Sequence, residues 1–214
     1  MPPKAKPAVT IGEDGESVAS VTLIPVKRST VEVPIVGLTP VIPHKWSEKS
    51  LRMMREAQSG SKTRAKHDPK VPIDEAEAAT YRLDDGRPGL PATAFKAACV
   101  GAARLFTGIT MTTLKTAIFV YGEGVDQLVA IEGEQHLRED TPRNATGVVD
   151  LRYRYAFHPW KATLRIEFLT AVVDLDSIFT LVDAAGNGGV GDWRPSAPKS
   201  LTGTFGRFEV DRSA

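Results

Sequence analysis

The sequence predicts an α+β protein built on an antiparallel sheet, and three observations predict it. Runs at 30–36 and 151–168 alternate apolar with polar residues, which is typical of strands that are buried on one face. Two patterns at 91–105 and 175–185 place their apolar residues on one helical stripe. A glycine-rich stretch at 186–206 then precedes a last strand, FGRFEV. We therefore expect helices on one side of a sheet whose other side is accessible.

Composition narrows the class of protein. The chain has 214 residues and a net charge of +1, so its field as a whole does not attract a polyanion and any nucleic-acid surface must be local. A single cysteine, Cys99, excludes an intrachain disulfide framework and a cysteine zinc site. No run of residues is apolar enough to span a membrane. These features predict a soluble protein of a reducing cytoplasm.

Residues 1–20 are rich in Pro, Gly, Glu and Lys and are predicted to be a mobile tail. Residues 21–214 are predicted to form one domain with insertions at about 44–80 and 108–148. The first core strand is expected at Thr30 to Val36, and a helix is expected to begin at Ser47, which is a suitable N-cap residue.

The first insertion is basic. Between His44 and Lys70 the sequence has eight Lys or Arg residues and three acidic residues. A phosphate backbone is the partner that such a patch attracts most generally, whereas a solvated helix and a charged loop are the commoner outcome. The nucleic-acid-binding candidates in its helix are Lys45, Lys49, Arg52 and Arg55.

The second insertion contains a predicted hairpin, 114–121 with 127–132, and an acidic loop. Between positions 123 and 140 the sequence has six acidic residues and a single basic residue, Arg138. Separate basic and acidic patches permit head-to-tail association, although chance clustering in a loop gives the same pattern. In the helix before the hairpin, Phe95, Ala98, Cys99, Ala102 and Leu105 share the core stripe, and Lys96 and Arg104 lie off it.

The clearest strand signal is VVDLRYRYAF–HPW–KATLRIEFL, which we interpret as two strands joined at HPW. Leu151, Tyr153 and Tyr155 share one face of the first strand. Arg152 and Arg154 share the other, and Arg165 is expected beside them on an open sheet surface. Arginines and aromatic residues on an open sheet are typical of single-strand binders. A solvated face with cross-strand ion pairs is the alternative.

The loop after the last helix carries Trp193 and Arg194, with Lys199 and Arg207 adding positive charge. Its glycines permit positive φ or a close approach of the backbone to another chain segment or a ligand. Trp193 is expected either to stack on a base or to fold back over the core.

Without its insertions, the predicted order is βαββαβ, which is the ferredoxin-like or RNA-recognition-motif plan. The segments GLPATAFKAACVGAAR, LKTAIFVYGEG, LREDTPR, DLRYRYAFHPW and GVGDWRPSAPKSLTGTFGRFEV resemble proteins encoded in tailed-phage and prophage genomes. More coarsely, the pattern is similar to the RAMP superfamily, especially the backbone subunits of CRISPR effector complexes. That resemblance implies a thumb hairpin at 114–132, a glycine-rich loop at 186–206, and polymerisation along a single strand. The helix start PATAFKAACVGAAR lacks the Ser and Gly usual in that superfamily, and no catalytic aspartate can be placed, so cleavage is not implied.

The expected function is therefore non-catalytic coating of single-stranded DNA or RNA by head-to-tail oligomers, in a bacterial host cytoplasm. Other phage replication or recombination proteins are candidate partners, and no cofactor or metal is expected. The four histidines are scattered and show no metal-ligand spacing, and neither a P-loop nor a nucleophile elbow is present. A structural capsid or tail subunit, assembling through the same contacts, is the alternative.

Overall fold

The computed structural model describes residues 9–11, 17–19, 25–46, 48–60, 71–142, 149, 151–198 and 201–213, with the backbone alone at 9–11, 17–19, 49 and 50. In chain order the elements are β1 (Val9–Ile11), β2 (Ser17–Ala19), β3 (Arg28–Gly37), α1 (Glu48–Gln58), α2 (Pro72–Ala78), β4 (Tyr81–Arg82), β5 (Pro88–Pro91), α3 (Ala92–Ala102), a 3-10 turn (Ala103–Leu105), α4 (Met111–Ala117), β6 (Ile118–Tyr121), β7 (Leu128–Ala130), β8 (Glu132–Asp140), β9 (Arg152–Leu169), α5 (Leu175–Gly188) and β10 (Phe208–Val210). The predicted α+β class is confirmed.

The main sheet has the order β10-β3-β9-β6, and every neighbouring pair in it is antiparallel. Alternate residues of its strands, such as Val33, Ile35, Leu164 and Ile166, are buried. Helices α3 and α5 pack against each other and contribute to the same core. The complementary residues of the strands are exposed, as Arg165 is, or half-buried. The sheet thus has one covered face and one accessible face, as the alternation predicts.

Strand β9 is continuous, which corrects the prediction of two strands joined at HPW. Its second half lies between β3 and β6, and its first half pairs with β8 from Asp140–Arg152 to Glu132–Lys161. His158 and Pro159 lie within the strand, and Trp160 is fully buried with its indole N–H donating to the Thr39 carbonyl at 2.8 Å. A buried tryptophan at this position makes HPW part of the core.

The predicted hairpin at 114–132 is correct only at its turn, where Glu123 and Leu128 form an isolated antiparallel bridge. Residues 111–117 form α4, which Thr110 caps by accepting a hydrogen bond from the Thr113 amide at 3.1 Å. Strand β6 then joins the main sheet, while β7 joins β4 and β5 in a separate three-stranded sheet. The long hairpin of the molecule is instead β8 with the first half of β9. We call this pair of segments, Glu132–Asp140 and 152–161, the arm; it contains much of the stretch predicted as an acidic loop.

Helix α3 follows the predicted stripe for most of its length. Phe95, Cys99 and Ala102 are buried, whereas Leu105 is 65% exposed because it belongs to the 3-10 turn that ends the helix. Burial raises the pKa of the Cys99 thiol to about 12, so the expectation of an unreactive small hydrophobe agrees with its surroundings.

Two glycines explain how α5 and the following loop approach the sheet. A Cβ at Gly186 would overlap the Phe208 carbonyl oxygen, so only glycine lets α5 lie this close to β10. Gly191 has φ +77°, and a Cβ there would lie 2.7 Å from the Ile42 carbonyl oxygen. The loop after α5 is therefore held against the segment that follows β3.

Of the predicted tail, only β1 and β2 are described, and they pair with each other. Ser47 and the basic segment 61–70 lie outside the described residues.

Candidate nucleic-acid interface

The accessible face of the main sheet carries the exposed side chain of Arg165 beside aromatic residues. Arg165, near the middle of the second half of β9, lies opposite Glu32 of β3 and Tyr121 of β6. Tyr121 is 40% exposed, and Phe119, two residues earlier on β6, is half-buried. Arg165 is thus on the open surface where the sequence predicts it, and an aromatic ring lies on the neighbouring strand.

The charge of this face is mixed. Lys161 lies 3.3 Å from Asp211, and Arg28 lies 3.5 Å from Glu167. The face therefore has few cations to offer to phosphates, and contacts with bases would have to come from its aromatic rings.

Arg154 is not on the open face, which corrects the sequence prediction. Its side chain is 2% exposed, with Nη2 3.6 Å from Asp140 Oδ2 and Nη1 donating a hydrogen bond to Asp192 Oδ2. Its guanidinium carbon lies 4.6 Å from the centroid of the Trp193 ring. The loop after α5 covers this end of the arm, and Arg154 contacts two carboxylates beneath it.

The carboxylate of Asp192 connects this buried arginine to the surface. Burial alone would raise the pKa of Asp192, but a hydrogen bond with His44 Nδ1 at 3.0 Å and the positive charge of Arg154 outweigh it, and the pKa falls to about 2. Asp192 therefore remains ionised at any pH at which the protein is ordinarily studied.

Trp193 belongs to an aromatic and cationic stack that includes Arg138 of the arm. Its ring centroid is 5.8 Å from that of Phe205, and the Arg138 guanidinium lies 4.9 Å from the Phe205 centroid. Arg138 also binds Asp140 through Nη2 at 2.7 Å. One side of the half-buried indole is thus in contact with Arg154, which corresponds to the folded-back alternative. Sequence reasoning missed Arg138 and Phe205, because their proximity depends on loop closure between distant segments.

The other predicted binding residues are dispersed. Lys45, Arg52 and Arg55 are exposed on or just before α1, and Arg104 is exposed after α3. Four further residues are half-buried and make local contacts. The Lys96 ammonium lies 4.3 Å from the Phe119 ring centroid, and Arg152 lies opposite Asp140 on the arm. Arg194 Nη1 donates to the Gly191 carbonyl at 2.9 Å, and Arg207 Nη2 donates to Asn187 Oδ1 at 3.1 Å. The Lys49 side chain and all of Lys199 lie outside the described part of the chain.

These residues do not form one continuous basic surface. The structure brings Arg154, Trp193 and Arg194 to the loop after α5, places Arg165 on the sheet, and leaves Arg52 and Arg55 on a separate helix.

Within the described residues, no group of three or more His, Cys, Asp or Glu side chains is arranged to hold a metal ion. None of the described helices has the length and apolar character needed to cross a bilayer.

No protein-family model and no curated protein sequence matches the chain. Among solved structures, the chain is similar to one from the cryo-EM structure of the type III-B Cmr-beta bound to cognate target RNA, with 14% identity and a TM-score of 0.41. The alignment covers 87% of this chain and 60% of that chain, so this protein spans less than two thirds of its neighbour's length. At this level of similarity no residue role is transferred between the two.

Proposed function

We propose that this protein binds single-stranded DNA or RNA on the accessible face of its main sheet and carries out no chemical step on it. The observation that carries the proposal is the placement of Arg165 directly beside Tyr121 on that face. An arginine contacts phosphate or stacks on a base, and a tyrosine offers a flat ring to the next base, whatever the sequence of the strand.

The order of the strands supports a fold suited to this function. The four strands of this sheet follow each other in the chain as β3, β6, β9 and β10, which we number one to four. Across the sheet their order is β10-β3-β9-β6, that is, 4-1-3-2. With α3 between the first and second and α5 between the third and fourth, we propose a ferredoxin-like, RNA-recognition-motif-like core. The motif resemblances to the RAMP superfamily and to tailed-phage proteins belong to the same proposal.

The mixed charge of the sheet predicts how the strand binds. Because Lys161 and Arg28 lie close to carboxylates, few phosphates are neutralised on the sheet itself, and the exposed arginines of α1 supply additional positive charge. We therefore expect affinity that depends on salt less steeply than in a uniformly basic binding groove.

The test is fluorescence anisotropy of labelled single-stranded DNA, single-stranded RNA of the same sequence, and duplex DNA, each titrated with protein at several salt concentrations. Tyr121→Ala is expected to weaken single-strand binding by about 1–3 kcal/mol through loss of base stacking. Arg165→Ala is expected to reduce the salt slope by about 1 if it contacts one phosphate.

Lys115→Ala is the matched control, since Lys115 is exposed on α4 and does not belong to the sheet face. Its affinity and slope should equal those of the unmodified protein. Folded Tyr121→Ala and Arg165→Ala variants that bind as tightly as this control would refute the assignment of the strand to the sheet.

The same proposal includes head-to-tail self-association. Exposed cations lie on α1, and exposed Glu132, Glu134 and Glu139 lie on β8 of the arm. Strand β8 pairs with β9 only, so its second edge is open among the described residues. That open edge is also what favours the second candidate function, a structural virion subunit, which would assemble equally well without an oligonucleotide.

A further inference from the structure

A polar cleft lies where the loop after α5 meets the segment after β3, on a different part of the molecule from Arg165 and Tyr121. It has a volume of about 300 Å³. Its floor is apolar, and its polar rim is formed by His44, Tyr81, Asp192 and Arg194. Neither the strand-binding surface nor the proposed self-association uses it.

Backbone contacts hold the walls of the cleft in place. The Asp192 amide donates to the Ile42 carbonyl at 2.8 Å, and Arg194 Nη1 donates to the Gly191 carbonyl at 2.9 Å. Gly191 has the left-handed conformation described above, which directs the loop back against residues 41 and 42. The rim is therefore positioned by the fold before any ligand arrives.

His44 has a defined hydrogen-bonding arrangement. Its Nδ1 lies 3.0 Å from Asp192 Oδ2, and a carboxylate that stays ionised down to about pH 2 can only accept in this bond. Nδ1 therefore carries the hydrogen in the neutral ring, and Nε2 is the nitrogen that takes up a proton when the ring becomes charged.

The charges around the cleft favour an anion. The carboxylate of Asp192 contacts buried Arg154, and the other carboxylate near Arg154, that of Asp140, is also paired with Arg138. Two arginines thus balance the two carboxylates, and the guanidinium of Arg194 on the rim adds further positive charge. Among the described residues, the Tyr81 hydroxyl donates to the His44 carbonyl at 3.5 Å, and the Trp46 ring lies beside the imidazole. Lys45 is next to His44 in the chain, and the negative charge of Asp126 acts on Tyr81 and raises its pKa. Protonation of His44 would add a second cationic donor to the rim.

We propose that this cleft binds a phosphate group through the guanidinium of Arg194 and the protonated ring of His44. A guanidinium presents paired N–H donors that fit two phosphate oxygens, and a phosphate monoester carries nearly two negative charges at neutral pH. The phosphate belongs either to the end of a nucleic-acid strand or to a small phosphate ester. The proposal does not require the sheet face to bind a strand.

The first test follows the imidazole NMR signals of His44 while inorganic phosphate is added, with sodium chloride of equal ionic strength as the reference. Saturable shifts are expected with phosphate and not with chloride. Since only protonated His44 donates from Nε2, bound phosphate should move these signals towards those of a protonated imidazole. Signals that respond equally to chloride and phosphate would overturn the proposal.

Variants identify the donors. Arg194→Gln should weaken phosphate binding by about tenfold or more, because it removes a charged donor. His44→Gln keeps an amide donor for Asp192 but cannot become charged, so it should weaken phosphate binding, as followed by the indole fluorescence of nearby Trp46. His136→Gln, which changes an exposed histidine on the arm, is the control and should bind phosphate as the unmodified protein does.

A second arm distinguishes the source of the phosphate and separates this proposal from the strand-binding one. Oligonucleotides with a 5′-phosphate or a 5′-hydroxyl are compared in the unmodified protein and in Arg194→Gln. Preference for the phosphorylated end, lost in Arg194→Gln, assigns the cleft to strand ends, whereas saturable inorganic phosphate binding without that preference assigns it to a small ester. If phosphate binds but Tyr121→Ala leaves strand affinity intact, the proposal of strand binding on the sheet is refuted and the proposal of a phosphate site in the cleft is supported. If strands bind through the sheet but phosphate binding does not saturate, only the proposal of the phosphate site is refuted.

Discussion

Arg154 shows at the scale of a single residue how strongly a buried charge depends on its partners. It is enclosed between Asp140, Asp192 and the Trp193 ring. Arg154→Ala would remove the cation that both carboxylates contact. Asp140 would keep Arg138, and Asp192 would keep His44. The cost should therefore lie near the lower end of the about 3–5 kcal/mol that is typical when one partner of a buried ion pair is removed. We predict a loss of this order in the free energy of unfolding, measured by urea denaturation at neutral pH.

Arg165→Ala, on the same strand, is the control for this measurement. Arg165 is exposed, so its replacement should change the free energy of unfolding by no more than about 0.5 kcal/mol. If both variants unfold at the same urea concentration, Arg154 does not stabilise the loop after α5 in the way described here.

Asp192 predicts the behaviour of the fold in acid. Its pKa is lowered from 3.8 to about 2, so the folded state binds a proton less readily than the unfolded state does. The stabilisation is complete above about pH 4 and is lost as the pH falls through about 2, with a magnitude of about 2 kcal/mol. We predict that Asp192→Asn flattens this part of the profile of unfolding free energy against pH. A profile identical to that of the unmodified protein between pH 2 and 4 would contradict this assignment.

The different outcomes for Arg165 and Arg154 show what alternation can predict at this scale. The pattern in 151–168 correctly separates apolar from charged positions. Whether a charged face meets solvent depends on what covers it, and Arg154 is covered by residues about forty positions later in the chain. Because no local pattern encodes that closure, the sequence could predict the surface position of Arg165 but not the burial of Arg154.

At the scale of elements, the least predictable strand was β8. Its sequence, EGEQHLRED, contains no β-branched residue, and it is a strand because β9 provides a partner along nearly all of its length. The first strand of the hairpin predicted at 114–132 begins later than predicted for a related reason. The sequence LKTA is compatible with both a strand and a helix, and the Thr110 cap makes it the end of α4. By contrast, β3, α3 and α5 have strong periodicity and were predicted close to their observed bounds.

Helix α1 is the element whose binding role can be tested without disturbing the core. Arg52 and Arg55 are exposed, and Arg52 forms a surface ion pair with Glu56 at 3.8 Å, an interaction worth about 0.3–0.5 kcal/mol. We predict that Arg52→Ser combined with Arg55→Ser leaves thermal unfolding nearly unchanged and reduces the salt slope of single-strand binding by about 1–2. An unchanged slope in the folded double variant would exclude α1 from the interface.

At the scale of the whole molecule, the net charge of +1 includes exposed arginines on α1 and exposed glutamates on β8. If neighbouring copies join α1 to β8, then Arg52→Glu with Arg55→Glu should prevent assembly, and so should Glu132→Lys with Glu134→Lys, because each change places like charges opposite each other. An equimolar mixture of the two reversed proteins restores both contacts, since the acidic α1 of one meets the basic arm of the other and the unmodified surfaces meet in turn. Sedimentation velocity, with and without an oligonucleotide, measures the outcome. For a strand-coating protein, we expect the two reversed proteins to assemble only when they are mixed and only when the oligonucleotide is present. Assembly of the mixture without oligonucleotide would favour a structural virion subunit. Assembly that neither reversal affects would show that the two charged regions do not meet.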